Sequence, residues 1–124
     1  MKKFLRGVGI RMGEGDVKEL ERKYDVREWT LKEYVDVYIK RYLEETGAEP
    51  EIIEVKNGRI VYRLHNCLFF ELASSMPEIM CDVLHESYHE GLSKEMGGKM
   101  IIKRQTCMGK GDDYCEHVCQ YEQK

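Results

Sequence analysis

The chain has 124 residues, enough for one domain with one core but small for a core plus a deep two-lobed cleft. Its 20 Lys and Arg stand against 23 Asp and Glu, a formal net charge of −3 with both signs interspersed, which argues against direct nucleic-acid binding as the main activity. No uncharged apolar run approaches the roughly 18 residues of a membrane span, and Arg6 interrupts the stretch where a signal peptide needs apolar continuity, so a cytoplasmic protein with no membrane contact is expected.

The first fifteen residues, with four glycines, are expected to form a short strand or an arm. GDVKELERKY, residues 15–24, offers Asp16 as the N-cap of a short charged helix. In TLKEYVDVYIKRYLEETG, Thr30 caps and Glu33 completes a capping box. Leu31, Tyr34, Val35, Tyr38, Ile39, Tyr42 and Leu43 then recur at helical spacing until Gly47. The tyrosines of that stripe are read as core or a dimer face rather than a ligand pocket, and Trp29 just ahead of the cap as a staple of the helix entry.

EIIEVKNGRIVYRLHN contains Asn57-Gly58, the dipeptide favoured by a two-residue type I′ hairpin turn. Closing the hairpin there pairs Lys56 with Arg59 and is expected to put Ile53, Val55, Ile60, Tyr62 and Leu64 on a core-directed face. Residues 68–75 read as an apolar connection, and Pro77 as the first turn of a helix reaching about Gly97. Its expected core stripe is Met76, Ile79, Met80, Val83, Leu84, Ser87, Tyr88 and Leu92. KMIIKRQTCMGKGDDYCEHVCQY reads as a strand, a glycine-rich turn and a returning strand. Two hairpins, each following helices, predict a single α+β domain over residues 1–124, with helices packed on one face of a four-stranded antiparallel sheet.

Within LHESYHEG, His85, Glu86 and His89 spell H-E-x-x-H, the zinc-peptidase pattern in which two His one turn apart share a metal and the Glu takes a proton from bound water. The chemistry also demands a third ligand downstream. Glu90 places a charge beside the site, and Gly91 comes too early for the longer metzincin pattern. The expectation is therefore that His85 and His89 flank the core stripe while Glu86 and Glu90 face water, with a small hydrolase on this motif kept as an alternative.

The five cysteines all fall between positions 67 and 119, and in a reducing compartment such clustering favours metal or redox chemistry over disulfides. Cys107 and Cys115 flank a turn holding Gly109, Gly111, Asp112 and Asp113, so strand pairing brings both thiols to one end of the hairpin. Cys81 lies in the long helix and Cys67 just past the first hairpin, which allows four thiolates to converge on a tetrahedral metal and cross-link helix to sheet. Cys115, His117 and Cys119 alternate on one strand face, leaving His117 or Cys119 as competing fourth ligands. Cys67 and Cys119 can also be read as packing residues. Thiolates suit zinc and, as an alternative, an iron–sulfur cluster.

Residues 80–119, MCDVLHESYHEGLSKEMGGKMIIKRQTCMGKGDDYCEHVC, resemble the 4-vinyl-reductase domain family, whose fold is related to certain subunits of vesicle-tethering complexes. Cys81, Gly91, Gly97, Cys107, Gly111-Asp112 and Cys115 fill the family's pattern in order. In phenol-sensing regulators with this domain the three matching cysteines bind zinc together with a Glu three residues before the strand-end cysteine. Here that position is Arg104, which cannot be a ligand, and Cys67, in an Asn-Cys that resembles one in archaeal relatives, is the candidate replacement. The resemblance implies a sensory or ligand-binding module for a small hydrophobic molecule or redox state, more a binding protein than an enzyme. It also implies a homodimer. With no DNA-binding or kinase domain in the sequence, output is expected to pass through a partner or self-association.

Overall fold

In the computed structural model, which describes residues 2–67 and 70–121, the dipeptide Asn57-Gly58 turns the chain with φ of 52° and 73°. These are the left-handed angles a type I′ turn requires. Lys56 faces Arg59 across it, as expected. The turn joins β1 (Pro50–Lys56) to β2 (Arg59–Leu64), and the second hairpin joins β3 (Met100–Arg104) to β4 (Cys115–Tyr121). All neighbours are antiparallel in the order β1-β2-β4-β3, so β4 returns to the centre and the two hairpins fuse into one sheet. Met100 and Ile102 point into the core while Ile101 between them is exposed, the alternation of a sheet covered on one face.

One register expectation fails. A bulge between Ile52 and Glu54 adds a residue to β1, so Ile52 opposes Tyr62 on the core side and Ile53 is left exposed. Val55 does oppose Ile60, yet it is exposed near the hairpin tip of the edge strand.

The amino terminus departs further from expectation. Residues read as an arm and a short helix form one 23-residue helix, α1 (Lys2–Tyr24). Two of its four glycines, Gly9 and Gly13, are contact points rather than breaks. A Cβ built on Gly9 would lie 1.9 Å from Ser87 Oγ, one on Gly13 2.2 Å from the Tyr88 carbonyl oxygen, and one on Gly91 2.0 Å from the Ile10 carbonyl oxygen. Helix α1 thus touches the segment from Ser87 to Gly91 backbone to backbone, and that packing offsets the roughly 1 kcal/mol helix-propensity cost of each contacting glycine. Val17 and Leu20 continue the same buried stripe. Asp16 caps nothing; its carboxylate accepts hydrogen bonds from the Tyr42 and Tyr88 hydroxyls, both at 2.6 Å.

Helix α2 begins at Leu31–Glu33 and continues as wide, π-type turns over Tyr34–Leu43. Thr30 caps it, its hydroxyl accepting from the Glu33 amide. Trp29 is buried ahead of the cap with its indole N–H donated to Glu21. Tyr34 and Tyr38 are core residues, and the Tyr34 and Tyr62 hydroxyls meet at 2.8 Å between helix and sheet.

The expected connection over 68–75 contains a short helix, α3 (Phe70–Ser75), whose Ala73 is buried; Leu68 and Phe69 lie outside the described residues. Helix α4 follows Pro77, running as π-type turns over Glu78–His85 and as an ordinary helix over Glu86–Glu95, then stops where Gly97 takes φ of 105°. Its buried positions are Cys81, Ser87, His89, Gly91 and Leu92, whereas Met76 is exposed. The expected stripe is displaced because α4 is covered on several sides, by α1 against Ser87 and Gly91, by α3 and the Cys107 turn against Cys81, and by the sheet against His89. No helix of the described residues is long and apolar enough to cross a membrane.

Candidate functional site

Two clusters of potential ligands lie along α4 where it meets the second hairpin. The first holds cysteines. Cys81 and Cys107 are buried together with Ala73, and Cys67 and Met80 pack against them. After β3 the chain turns tightly: the Asp112 carboxylate accepts from the Cys107 amide at 2.8 Å, and the Cys107 carbonyl accepts from the Lys110 and Asp112 amides. This Asx-type closure lets the Met108 amide donate to Cys115 Sγ at 3.3 Å, an arrangement that favours the thiolate form. Gly109 fits only without a side chain, since a Cβ there would sit 2.8 Å from Cys81 Sγ.

Burial and the neighbouring Cys107 sulfur push the Cys81 thiol up, and burial raises Cys115, with the Met108 amide and Arg104 opposing. A bound metal reverses this preference, because coordinated thiols are deprotonated outright. The Arg104 side chain is largely covered and donates to the Cys81 carbonyl at 2.8 Å and to Asp82 at 2.9 Å. It therefore ties α4 to β3 and supplies a positive charge beside the sulfurs. Soft donors, a cation and an amide donor thus lie in one region, the chemistry a thiolate-bound metal would use, but among the described residues the cysteine sulfurs do not form a group with metal-ligand spacing. Cys119 is elsewhere, fully buried in the main core near Tyr34.

The second cluster holds histidines. His85 and His89 are one helical turn apart on α4, and His117 projects from β4 opposite Arg104. Among the described residues, these three place one potential ligand atom each within 4.8 Å of the others, and they are the only such group of three or more His, Cys, Asp or Glu side chains. Ring centres are 4.4 Å apart for His85–His89, 4.8 Å for His89–His117 and 5.3 Å for His85–His117. Tyr62 stacks on the far side of His117 at 5.2 Å. Sequence reasoning placed His85 and His89 beside the core and His117 with the cysteines; the hairpin register instead turns His117 towards α4. The signal was present, because H-E-x-x-H calls for a third ligand and His117 lay on the inward face of its strand.

The buried Nδ1 of His89 and both nitrogens of His117 have no hydrogen-bond partner. Each such atom costs about 1–3 kcal/mol when desolvated and unpaired. Burial lowers the pKa of His85 to about 4, with Arg104 adding to the effect, and burial with the adjacent imidazoles holds His89 well below its ordinary value. His117 is likewise depressed by burial, then by His85 and Arg104. The rings are neutral near pH 7, the form that coordinates metal. A cleft of about 590 Å³ between the start of α1, α4 and β3 is lined by His89 and Glu86, with Lys2, Lys3 and Arg6 at its basic side. Arg6 pairs with Glu90, both lining the cleft, and Lys2 pairs with Glu78.

This geometry sits on a fold with known counterparts. A trafficking protein particle complex subunit 3 from Naegleria fowleri, covalently bound to palmitic acid, superposes with TM-score 0.64 and 14% identity over 98% of this chain and 80% of that one. The phenol-responsive sensory domain of the transcription activator PoxR, with phenol, gives 0.63 and 13% identity over 97% of this chain and 63% of that one. The chain shares their fold. That architecture is the α+β, 4-vinyl-reductase-like one expected from residues 80–119. No family model and no curated protein matches the chain.

Proposed function

We propose that this chain is a small-ligand sensor or binding module of the 4-vinyl-reductase type, whose helix–sheet junction is tied by a metal held by Cys67, Cys81, Cys107 and Cys115. The observation that carries the reading is the convergence of these thiols from separate elements, with a backbone amide on Cys115 and Arg104 beside them. The fold supports the sensory part, since it is shared with a phenol-responsive domain and a palmitate-bearing subunit. Zinc is the metal proposed, at the heart of a structural cross-link that contributes folding free energy. An iron–sulfur cluster on the same thiolates is the alternative, and it would make the module redox-active. The reading is of a binding protein rather than an enzyme. Its signal passes by self-association or to a partner, for which exposed Phe4 and Met12 on α1 offer apolar surface.

An optical spectrum and elemental analysis of one anaerobically purified sample test it. Zinc with no visible absorption supports the structural site, and iron with sulfide and broad visible absorption supports the redox alternative. In either case Cys107→Ser is expected to lose metal and stability together. Unchanged metal content in that variant refutes the thiolate site.

A further inference from the structure

We propose that His85, His89 and His117 form a second, nitrogen-only site for a divalent transition-metal ion of the zinc class, with its remaining coordination position towards the cleft lined by His89 and Glu86. Three imidazoles on one tetrahedral ion with bonds of about 2.0–2.1 Å put their nitrogens about 3.3 Å apart and their ring centres about 5 Å apart. The ring centres here, at 4.4, 4.8 and 5.3 Å, already have that spacing. The ligand nitrogens, within 4.8 Å of one another, need only side-chain rotation to close on an ion.

The second, independent observation is the absence of partners. Protein interiors rarely leave buried polar atoms unpaired. Three imidazole nitrogens are left so in one place, on His89 and His117, both nearly or fully buried. Each neutral ring has one lone pair to give, so one cation accepts from one nitrogen of each of the three rings at once, while the second nitrogen of His117 keeps its proton. Arg104 does not take that place, because its guanidinium is committed to the Cys81 carbonyl, Asp82 and Glu86.

The arrangement also settles which part of the H-E-x-x-H pattern is used. Two of its ligands come from one face of α4, and the third arrives from the adjacent sheet rather than from further along the helix. Three protein ligands are the number found in open zinc sites, which keep a fourth position for water or a small molecule. Of the three histidines, His89 alone lines the cleft of about 590 Å³, together with Glu86, so a fourth ligand would reach the ion past His89.

The site is distinct from the cysteine cluster in donor type, so the two are separable by experiment. Metal-stripped protein is titrated anaerobically with Zn²⁺ and, separately, with Co²⁺, and bound metal is counted after gel filtration. Wild type is expected to hold one equivalent more than His117→Phe, a replacement that keeps the stack on Tyr62 and removes both unpaired nitrogens. Cys107→Ser is expected to retain a Co²⁺ spectrum free of thiolate charge-transfer bands, and His89→Leu to lose that spectrum. Unmodified protein provides a check that does not depend on variant folding: Zn²⁺ must shift the imidazole NMR signals of His85, His89 and His117 and leave exposed His65 in place. Equal stoichiometry in wild type and the histidine variants, or imidazole signals of the three that do not respond to Zn²⁺, would overturn the proposal.

Discussion

Replacing Gly91 with alanine tests the helix contact on which the ligand clusters are built. The added Cβ would sit 2.0 Å from the Ile10 carbonyl oxygen, whereas an ordinary carbon–oxygen contact needs about 3.3 Å. The α1 and α4 backbones must therefore separate by about 1.3 Å, which loosens the contacts of Val17, Leu20 and Leu92 as well. Overpacking of this kind costs about 1–3 kcal/mol, only partly offset by the roughly 1 kcal/mol that alanine gains over glycine in a helix. A net loss of about 1 kcal/mol, and at most about 2, corresponds to a fall of about 4 °C and at most about 8 °C in Tm for 124 residues, taking about 2.1 cal/mol/K per residue. Gly15 is the internal control. It is in α1 with nothing within 4 Å of a built Cβ, so Gly15→Ala is expected to raise stability by up to about 1 kcal/mol. Thermal unfolding followed by circular dichroism reads both variants. Shifts of the same sign in the two would show that the helices do not meet at Gly91.

The Tyr34–Tyr62 hydroxyl pair gives a second measurement, because both rings are buried and the oxygens are 2.8 Å apart. Tyr62→Phe alone is expected to cost about 1–3 kcal/mol by stranding a hydroxyl, while the double Phe variant costs less than the two singles together; additive urea midpoints would refute the coupling. In metal-free protein, His85 has its pKa lowered to about 4 in the folded state by burial and by Arg104, against an unfolded value of about 6.5. The unfolded chain then binds more protons, so this contribution is complete above pH 6.5 and is lost as pH falls towards 4, with about 2 kcal/mol gone by pH 5. Urea unfolding between pH 7 and pH 5 should show that loss in wild type and a flatter profile in His85→Phe; identical profiles would exclude His85 as the source.

Local chemistry made much of this protein legible in its sequence. Asn57-Gly58 determined the hairpin because few dipeptides accept two positive φ angles, and Thr30 determined a helix start because its hydroxyl satisfies an otherwise unpaired amide. The turn from Cys107 to Cys115, with its glycines and Asp112, specified a tight closure that sets the Asp112 carboxylate on the Cys107 amide and the Met108 amide on the Cys115 sulfur. Those signals act within a few residues, so they survive without tertiary context.

What the tertiary structure decided depended on partners far away in sequence. Gly9 and Gly13 of α1 read as breakers because their value lies in the backbone of α4, about 80 residues later, which approaches only when no side chain intervenes. The bulge in β1 moved Ile52 rather than Ile53 to the core, since register is set by the whole sheet and not by alternation along one strand. His117 was visible as an inward residue, but its companions were not. Only the pairing of β3 with β4, and the seating of α4 on that hairpin, put its imidazole against those of His85 and His89, leaving buried nitrogens that hydrogen bonds within the protein do not satisfy.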